Sequence, residues 1–213
     1  MANPKVKKER LDVLLVEQGF FNSRENAKRH IMEGIILVNN VPVDKAGTKV
    51  PSDAEIRIKG HIMPYVGRGG YKLEKALKFF KIDLNGKVVA GASTGGFTDC
   101  ALQNGAVKVY AIDVGTNQLD WKLRTDQRVI NMEKTNIKLV TLETLGEPVD
   151  FVCTDISFIS VTKIIPAVKS ILKPDGSIAA LIKPQFEAGR EKVGKGGIVR
   201  DPEVHKEVIR HAL

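Results

Sequence analysis

Lys183 closes the apolar run Ile178 to Ile182 and stands directly before Pro184. A lysine at the end of a buried strand is a chemical candidate, because burial disfavours its charged form and lowers its pKa. Such a group can act as a general base or steer a hydroxyl. Asp155 closes a second apolar run, Val149 to Thr154, and can tune that lysine. Lys72, in Gly69-Gly70-Tyr71-Lys72, can join the pair. Each of the three alone is more often half of a surface salt bridge, so their weight lies in convergence. The second chemical cue is the loop Gly91-Ala92-Ser93-Thr94-Gly95-Gly96. It has neither the dinucleotide spacing nor the Lys-Ser/Thr of a phosphate loop. Its glycines permit a tight turn and let backbone amides approach a ligand. Asp113, ending the next apolar run, can accept hydrogen bonds from ribose hydroxyls. A glycine loop followed by an acidic strand end suits an adenosine-bearing cofactor, NAD and S-adenosylmethionine alike.

These residues need a frame that brings them together. From Lys72 onward, apolar strands alternate with helical stretches. Lys72 to Phe80 reads as a helix with Leu73, Ala76, Leu77 and Phe80 as its apolar stripe. Strands are predicted at Lys87–Ala90, Val107–Val114, Val149–Asp155 and Ser177–Lys183, the last of them buried. Helices are predicted from the glycine loop to Asn104 and over Ile164–Leu172. Such alternation argues for an α/β domain, a mostly parallel sheet with helices on both faces. Ligands of these sheets sit outside the carboxyl ends of the strands. Asp113, Asp155, Lys183 and the glycine loop all fall at that edge.

The first 65 residues have a different rhythm of short elements. Leu11, Leu14 and Leu15 share one helical face. Asn22 with Glu25 has capping-box spacing for a second helix. Ala27 and Ile31 face inward, while Arg24, Lys28 and Arg29 fall on exposed faces. Two β-rich runs, Ile35–Val38 and Val41–Val43, flank Asn39-Asn40 and read as a tight hairpin. Pro42 removes a donor and suits a sheet edge. Glu55–Ile58 alternates as a further strand. This pattern resembles the S4-type RNA-binding domain, a small α+β fold. The resemblance rests on Arg10-Leu11-Asp12, Ser23 to Ala27, Gly34 to Asn39 and Asp53 to Ile56. It implies that the basic second helix meets structured RNA, with Arg24, Lys28 and Arg29 as the candidate contacts.

Composition agrees with this frame and excludes several classes. The chain has 213 residues, 43% of them apolar and 27% charged, which argues against disorder. No apolar run approaches the ~18 residues of a membrane span. The start, MANPKVKKER, does not read as a secretory signal. Two cysteines, Cys100 and Cys153, cannot form a disulfide framework or a four-cysteine zinc site, and read as half-buried cytosolic thiols. A net charge of +8 favours polyanionic partners.

The whole chain resembles the TlyA, or hemolysin-A-like, family of ribosomal RNA 2′-O-methyltransferases. The matching segments are Arg68 to Glu74, Gly91 to Asp99, Tyr110 to Gly115, Gln118 to Arg124, Asp155 to Ser160 and Lys183 to Glu187 through Asp201-Pro202. The resemblance implies an S4-type domain over residues 1–65 and a Rossmann-like, FtsJ-like methyltransferase domain over 66–213. It implies a cytoplasmic enzyme that uses S-adenosyl-L-methionine, acts on ribosomal RNA or ribosomal subunits, and needs neither metal nor membrane. From the family's Lys-Asp-Lys-Glu set, Lys72, Asp155 and Lys183 carry over. Gly91, Ser93, Thr94, Gly95 and Gly96 become the cofactor loop and Asp113 the ribose-binding acid. Glu133 and Asn136 fall on the adenine side. The fourth catalytic member, a glutamate on strands beyond residue 213, is expected to be missing. So is the acidic residue that the family carries just before its glycine loop, since Val88-Val89-Ala90 offers none; weakened cofactor affinity is the expected consequence. Both departures favour a non-catalytic RNA-binding protein as the alternative. A cytolysin, suggested by the family's older name, finds no amphipathic or spanning segment to support it. An NAD-type oxidoreductase is disfavoured by the loop spacing and by the Lys183 and Asp155 pair.

Overall fold

The computed structural model describes residues 7–21, 23–60, 63–92 and 95–212. The chain divides into two compact units, Met1–Pro64 and Tyr65–Leu213.

In the first unit, β1 (Lys8–Arg10) leads into α1 (Leu11–Glu17) and α2 (Arg24–Met32). Four short strands follow: β2 (Ile36–Val38), β3 (Val41–Pro42), β4 (Lys49–Pro51) and β5 (Ile56–Ile58). Leu11, Leu14 and Leu15 meet Ala27, Ile31 and Ile36 in one apolar core. Asn22, the expected cap, lies outside the described residues. Ser23 caps α2, its side chain accepting from the Asn26 N–H. The hairpin turns at Asn39 and Asn40, both at positive φ, as a two-residue turn between Val38 and Val41 requires. Pro42 lies on the edge strand of the order β3-β2-β5. The pairing of β1 with β4 was not anticipated.

The second unit is built on five parallel strands in the order β10-β9-β6-β7-β8. Its elements are α3 (Gly69–Phe80), β6 (Val88–Ala92), α4 (Gly96–Gln103), β7 (Lys108–Ile112), α5 (Trp121–Arg124), β8 (Val129–Met132), α6 (Leu142–Leu145), β9 (Val149–Thr154), α7 (Ile165–Ile171), β10 (Leu172–Ala180), α8 (Pro184–Glu187) and α9 (Pro202–Ala212). One face of the sheet joins Val89, Val109 and Phe151 to Leu73, Leu77 and Phe97. The other joins Ala90, Tyr110 and Val152 to Ile164, Val168 and Ile171. Both cysteines are fully buried rather than half-buried, Cys100 on α4 and Cys153 on β9.

Three expectations are corrected. First, α3 starts at Gly69, three residues earlier than read, so Lys72 lies within its first turn. Second, Phe80 is not part of the core stripe; it is 67% exposed. It lines an open groove along β10 with Ala76 and Ile178, at the rim of the sheet where, among the described residues, β10 has one strand neighbour. For the same reason β10 is half-buried rather than buried. Third, β10 ends at Ala180, and Lys183 is instead the residue preceding α8. Pro184 in the first turn of α8 explains this, because proline is favoured there and cannot donate to a ladder.

Two helices touch through glycines. A Cβ at Gly96 would lie 2.8 Å from the Gly70 nitrogen and 3.0 Å from the Gly67 carbonyl oxygen. A Cβ at Gly70 would overlap the Tyr65 ring. Bare backbone at Gly96 therefore sets how closely the start of α3 approaches the start of α4, and at Gly70 it makes room for the Tyr65 ring. We predict that Gly70→Ala lowers stability by about 1–3 kcal/mol through overpacking, read as a lower urea midpoint with an unchanged m-value.

Candidate active site

Asp155 follows β9 directly, at the carboxyl end of the sheet. Its side chain is 12% exposed and is bracketed by two lysines. Lys72 Nζ, from α3, lies 2.7 Å from Oδ2. Lys183 Nζ, from the cap of α8, lies 2.7 Å from Oδ1. Lys183 also donates to Ser157 Oγ at 2.8 Å and to the Asp155 carbonyl oxygen at 3.3 Å. Three elements distant in sequence thus meet at one carboxylate. Burial alone would push the Asp155 carboxyl up, but Lys183 and then Lys72 outweigh it and hold its pKa below the ordinary carboxylate value.

Beside this cluster lies a cleft of about 450 Å³ between the ends of β7 and β9. Asp113, Val114, Asn136 and Ile137 line one part of it, and Asp155, Ser157 and Phe158 another. The Gly115 N–H donates to Asp113 Oδ1 at 2.7 Å and fixes the rotation of that carboxylate. Asn136 caps the short turn Ile137–Leu139, its Oδ1 accepting from the Lys138 N–H. Gly91 lies in β6, and Gly95 precedes α4 at φ +100°, a conformation natural only to glycine. Ser93 and Thr94 lie outside the described residues. Glu133 is turned elsewhere: its carboxylate accepts from the Asn117 N–H at 2.9 Å and from Asn131 at 3.2 Å. It shares a small hollow with Asp113 but does not line the larger cleft. Its position braces the loop after β7.

In the first unit, the candidate RNA contacts are more constrained than an exposed basic face would be. Arg24 is exposed but donates to Asp12 Oδ2 at 2.9 Å. Arg29 donates to Asn26, and both Arg29 and Lys28 are half-buried rather than exposed. Arg10 and then Arg24 hold the buried Asp12 carboxyl down at about 2 against its burial. One buried acid therefore orients two guanidinium groups at the surface.

Sequence reasoning named Ser157, Phe158 and Glu187 only within matching segments and gave them no role. Ser157 gives Lys183 a neutral acceptor. Phe158 is 90% exposed, sits at φ +66°, and holds its ring 5.1 Å from that of Phe186. A bulky residue at positive φ costs on the order of 1–3 kcal/mol, so its surroundings must hold it there. The sequence signal for Phe158 was a large aromatic four residues past a strand end, within the matching segment Asp155 to Ser160.

Residues 65–213 match the family model for FtsJ-like methyltransferases, and residues 9–56 match that for the S4 domain. The chain belongs to the FtsJ-like methyltransferase family. This methyltransferase is 54% identical to YqxC of Bacillus subtilis over 211 residues, covering 97% of this chain and 75% of YqxC. It is 42% identical to Hemolysin A of Brachyspira hyodysenteriae over 207 residues, with coverages of 96% and 86%. With the 16S/23S rRNA (cytidine-2′-O)-methyltransferase TlyA of Mycobacterium tuberculosis it shares 40% identity over 201 residues, covering 93% and 75%. A solved Streptococcus thermophilus structure bearing the hemolysin name matches with a TM-score of 0.70 at 46% identity, covering 97% of this chain and 76% of that one. Among the described residues, no helix is long and apolar enough to cross a membrane, and no cluster of His, Cys, Asp or Glu could hold a metal ion.

The depressed carboxyl gives a sign to the pH dependence. Because the folded pKa of Asp155 is below its unfolded value, its contribution is present above about pH 4 and lost as the pH falls through the folded value. Wild type should therefore exceed Asp155→Asn in urea-unfolding stability at pH 6. That difference should shrink as the pH falls below about 4.

Proposed function

We propose that this methyltransferase transfers a methyl group from S-adenosylmethionine to a ribose 2′-hydroxyl of ribosomal RNA. The observation that carries the reading is the carboxylate held by two lysines at the wall of the cleft. The cleft fits the cofactor's chemistry. Asp113 offers a fixed carboxylate to a ribose, Val114 and Ile137 offer apolar walls to an adenine, and Gly95 opens the backbone at the head of α4. S-adenosylmethionine would supply a sulfonium methyl group, already electrophilic enough to need no further activation.

The protein's part is then alignment and proton removal. Lys183 engages the 2′-hydroxyl, exchanging its bond to Ser157 Oγ for one to the substrate. There it would orient the hydroxyl toward the methyl group that the bound cofactor supplies, and hold or receive the hydroxyl proton at Nζ. Asp155 keeps Lys183 at the cleft, and Lys72 anchors the other oxygen of that carboxylate. Phe158, exposed beside Ser157, presents a ring face on which a nucleobase can stack. The S4 domain supports an RNA substrate, with Arg10 and Arg24 held by Asp12 for phosphate contact. TlyA, named as an rRNA (cytidine-2′-O)-methyltransferase, supports ribose as the acceptor.

The test is transfer of a labelled methyl group to unmodified ribosomal RNA or subunits. Lys183→Ala should lower the rate by about 10²-fold or more, the span of general acid–base contributions. Absence of transfer by the wild-type chain, or equal transfer by Lys183→Ala, would contradict the reading.

A further inference from the structure

One face of the short helix α8 clasps the whole length of the loop that carries Asp155. Lys183, Phe186 and Glu187 are spaced so that they share that face. Lys183 reaches Asp155 and Ser157, the Phe186 ring meets that of Phe158, and Glu187 Oε1 accepts the Val161 N–H at 2.7 Å. The contacts run along the loop in chain order and end at the turn Val161–Lys163. The first amides of such a turn have no partner within it. Glu187 satisfies that of Val161 from another element. Its second carboxylate oxygen is buried and has no hydrogen-bond partner among the described residues. A buried oxygen left this way is unfavourable, which makes an incidental contact a poor explanation for the side chain's placement.

We propose that Glu187 is a positioning residue for methyl transfer. By fastening the far end of the 155–161 loop to α8, it holds Phe158 in its left-handed conformation and keeps Lys183 in register with Asp155. Glu187 touches no reacting atom; it acts through the loop. The inference rests on the function proposed above and adds a fourth member to the site.

The experiment compares wild type, Glu187→Ala and Glu187→Gln by amide deuterium exchange and by methyl-transfer kinetics. Glu187→Ala should speed exchange in the segment 156–163 at least tenfold while β6 and β7 exchange as in wild type. It should also lower kcat at least tenfold with KM for the cofactor within twofold. Glu187→Gln keeps an acceptor for the Val161 N–H and should recover both quantities to within threefold. Unchanged exchange in Glu187→Ala, equal impairment of the two variants, or faster exchange in β6 and β7 as well would overturn the proposal, the last by showing a general structural role. So would an unchanged kcat in Glu187→Ala when wild type is active. If exchange follows the expected pattern but wild type itself transfers no methyl group, the clasp stands and the assigned reaction fails.

Discussion

A carboxylate shared by two ammonium groups is the constraint around which the second unit is arranged. Asp155 can be drawn into a partly buried position only because Lys72 and Lys183 compensate its charge there. That compensation fixes three separate pieces of chain: the first turn of α3, the loop leaving β9 and the start of α8. Removing either lysine leaves a half-compensated charge near the cleft. Removing the acid leaves two cations close together. The cluster is therefore an element of stability that holds an amine beside the cleft.

The glycines serve the same end by a different route. Lys72 lies in the first turn of α3, which begins close against α4; Gly96 permits that approach by omitting a side chain, and Gly70 leaves room for the Tyr65 ring. Gly95 then turns the backbone into α4 at a φ few other residues tolerate. The close-packed junction and the left-handed turn at Gly95 are thus adjacent in the chain. Asp99, buried on α4, adds to the junction by accepting the Val66 N–H at 2.8 Å and fastening the start of the unit to the same helix.

Much of this was legible in the sequence, for identifiable reasons. Apolar runs closing in Asp113 and Asp155 mark strand ends, and parallel topology sends those ends to one edge. Lys183 was brought beside Asp155 as expected but misplaced as a strand end, because apolar character continues past Ala180 into residues that no longer pair along their length. Phe80 was read as core because helical spacing reports which residues share a face, not whether another layer covers that face. Glu133 follows β8, a strand that sequence reading did not separate from its surroundings, and its side chain answers to Asn117 rather than to the larger cleft. Ser157, Phe158 and Glu187 were given no role because their contacts join distant segments, which no local period records.

The measurement that addresses the shared carboxylate most directly is a pH titration of the Asp155 side-chain carboxyl by carbon-13 NMR, in wild type and in Lys183→Met. The account predicts a wild-type midpoint below the unperturbed value of about 3.9 and a clear rise when the Lys183 ammonium is removed. A wild-type midpoint at or above that value, or one unmoved by Lys183→Met, would show that the two lysines do not hold Asp155 as described.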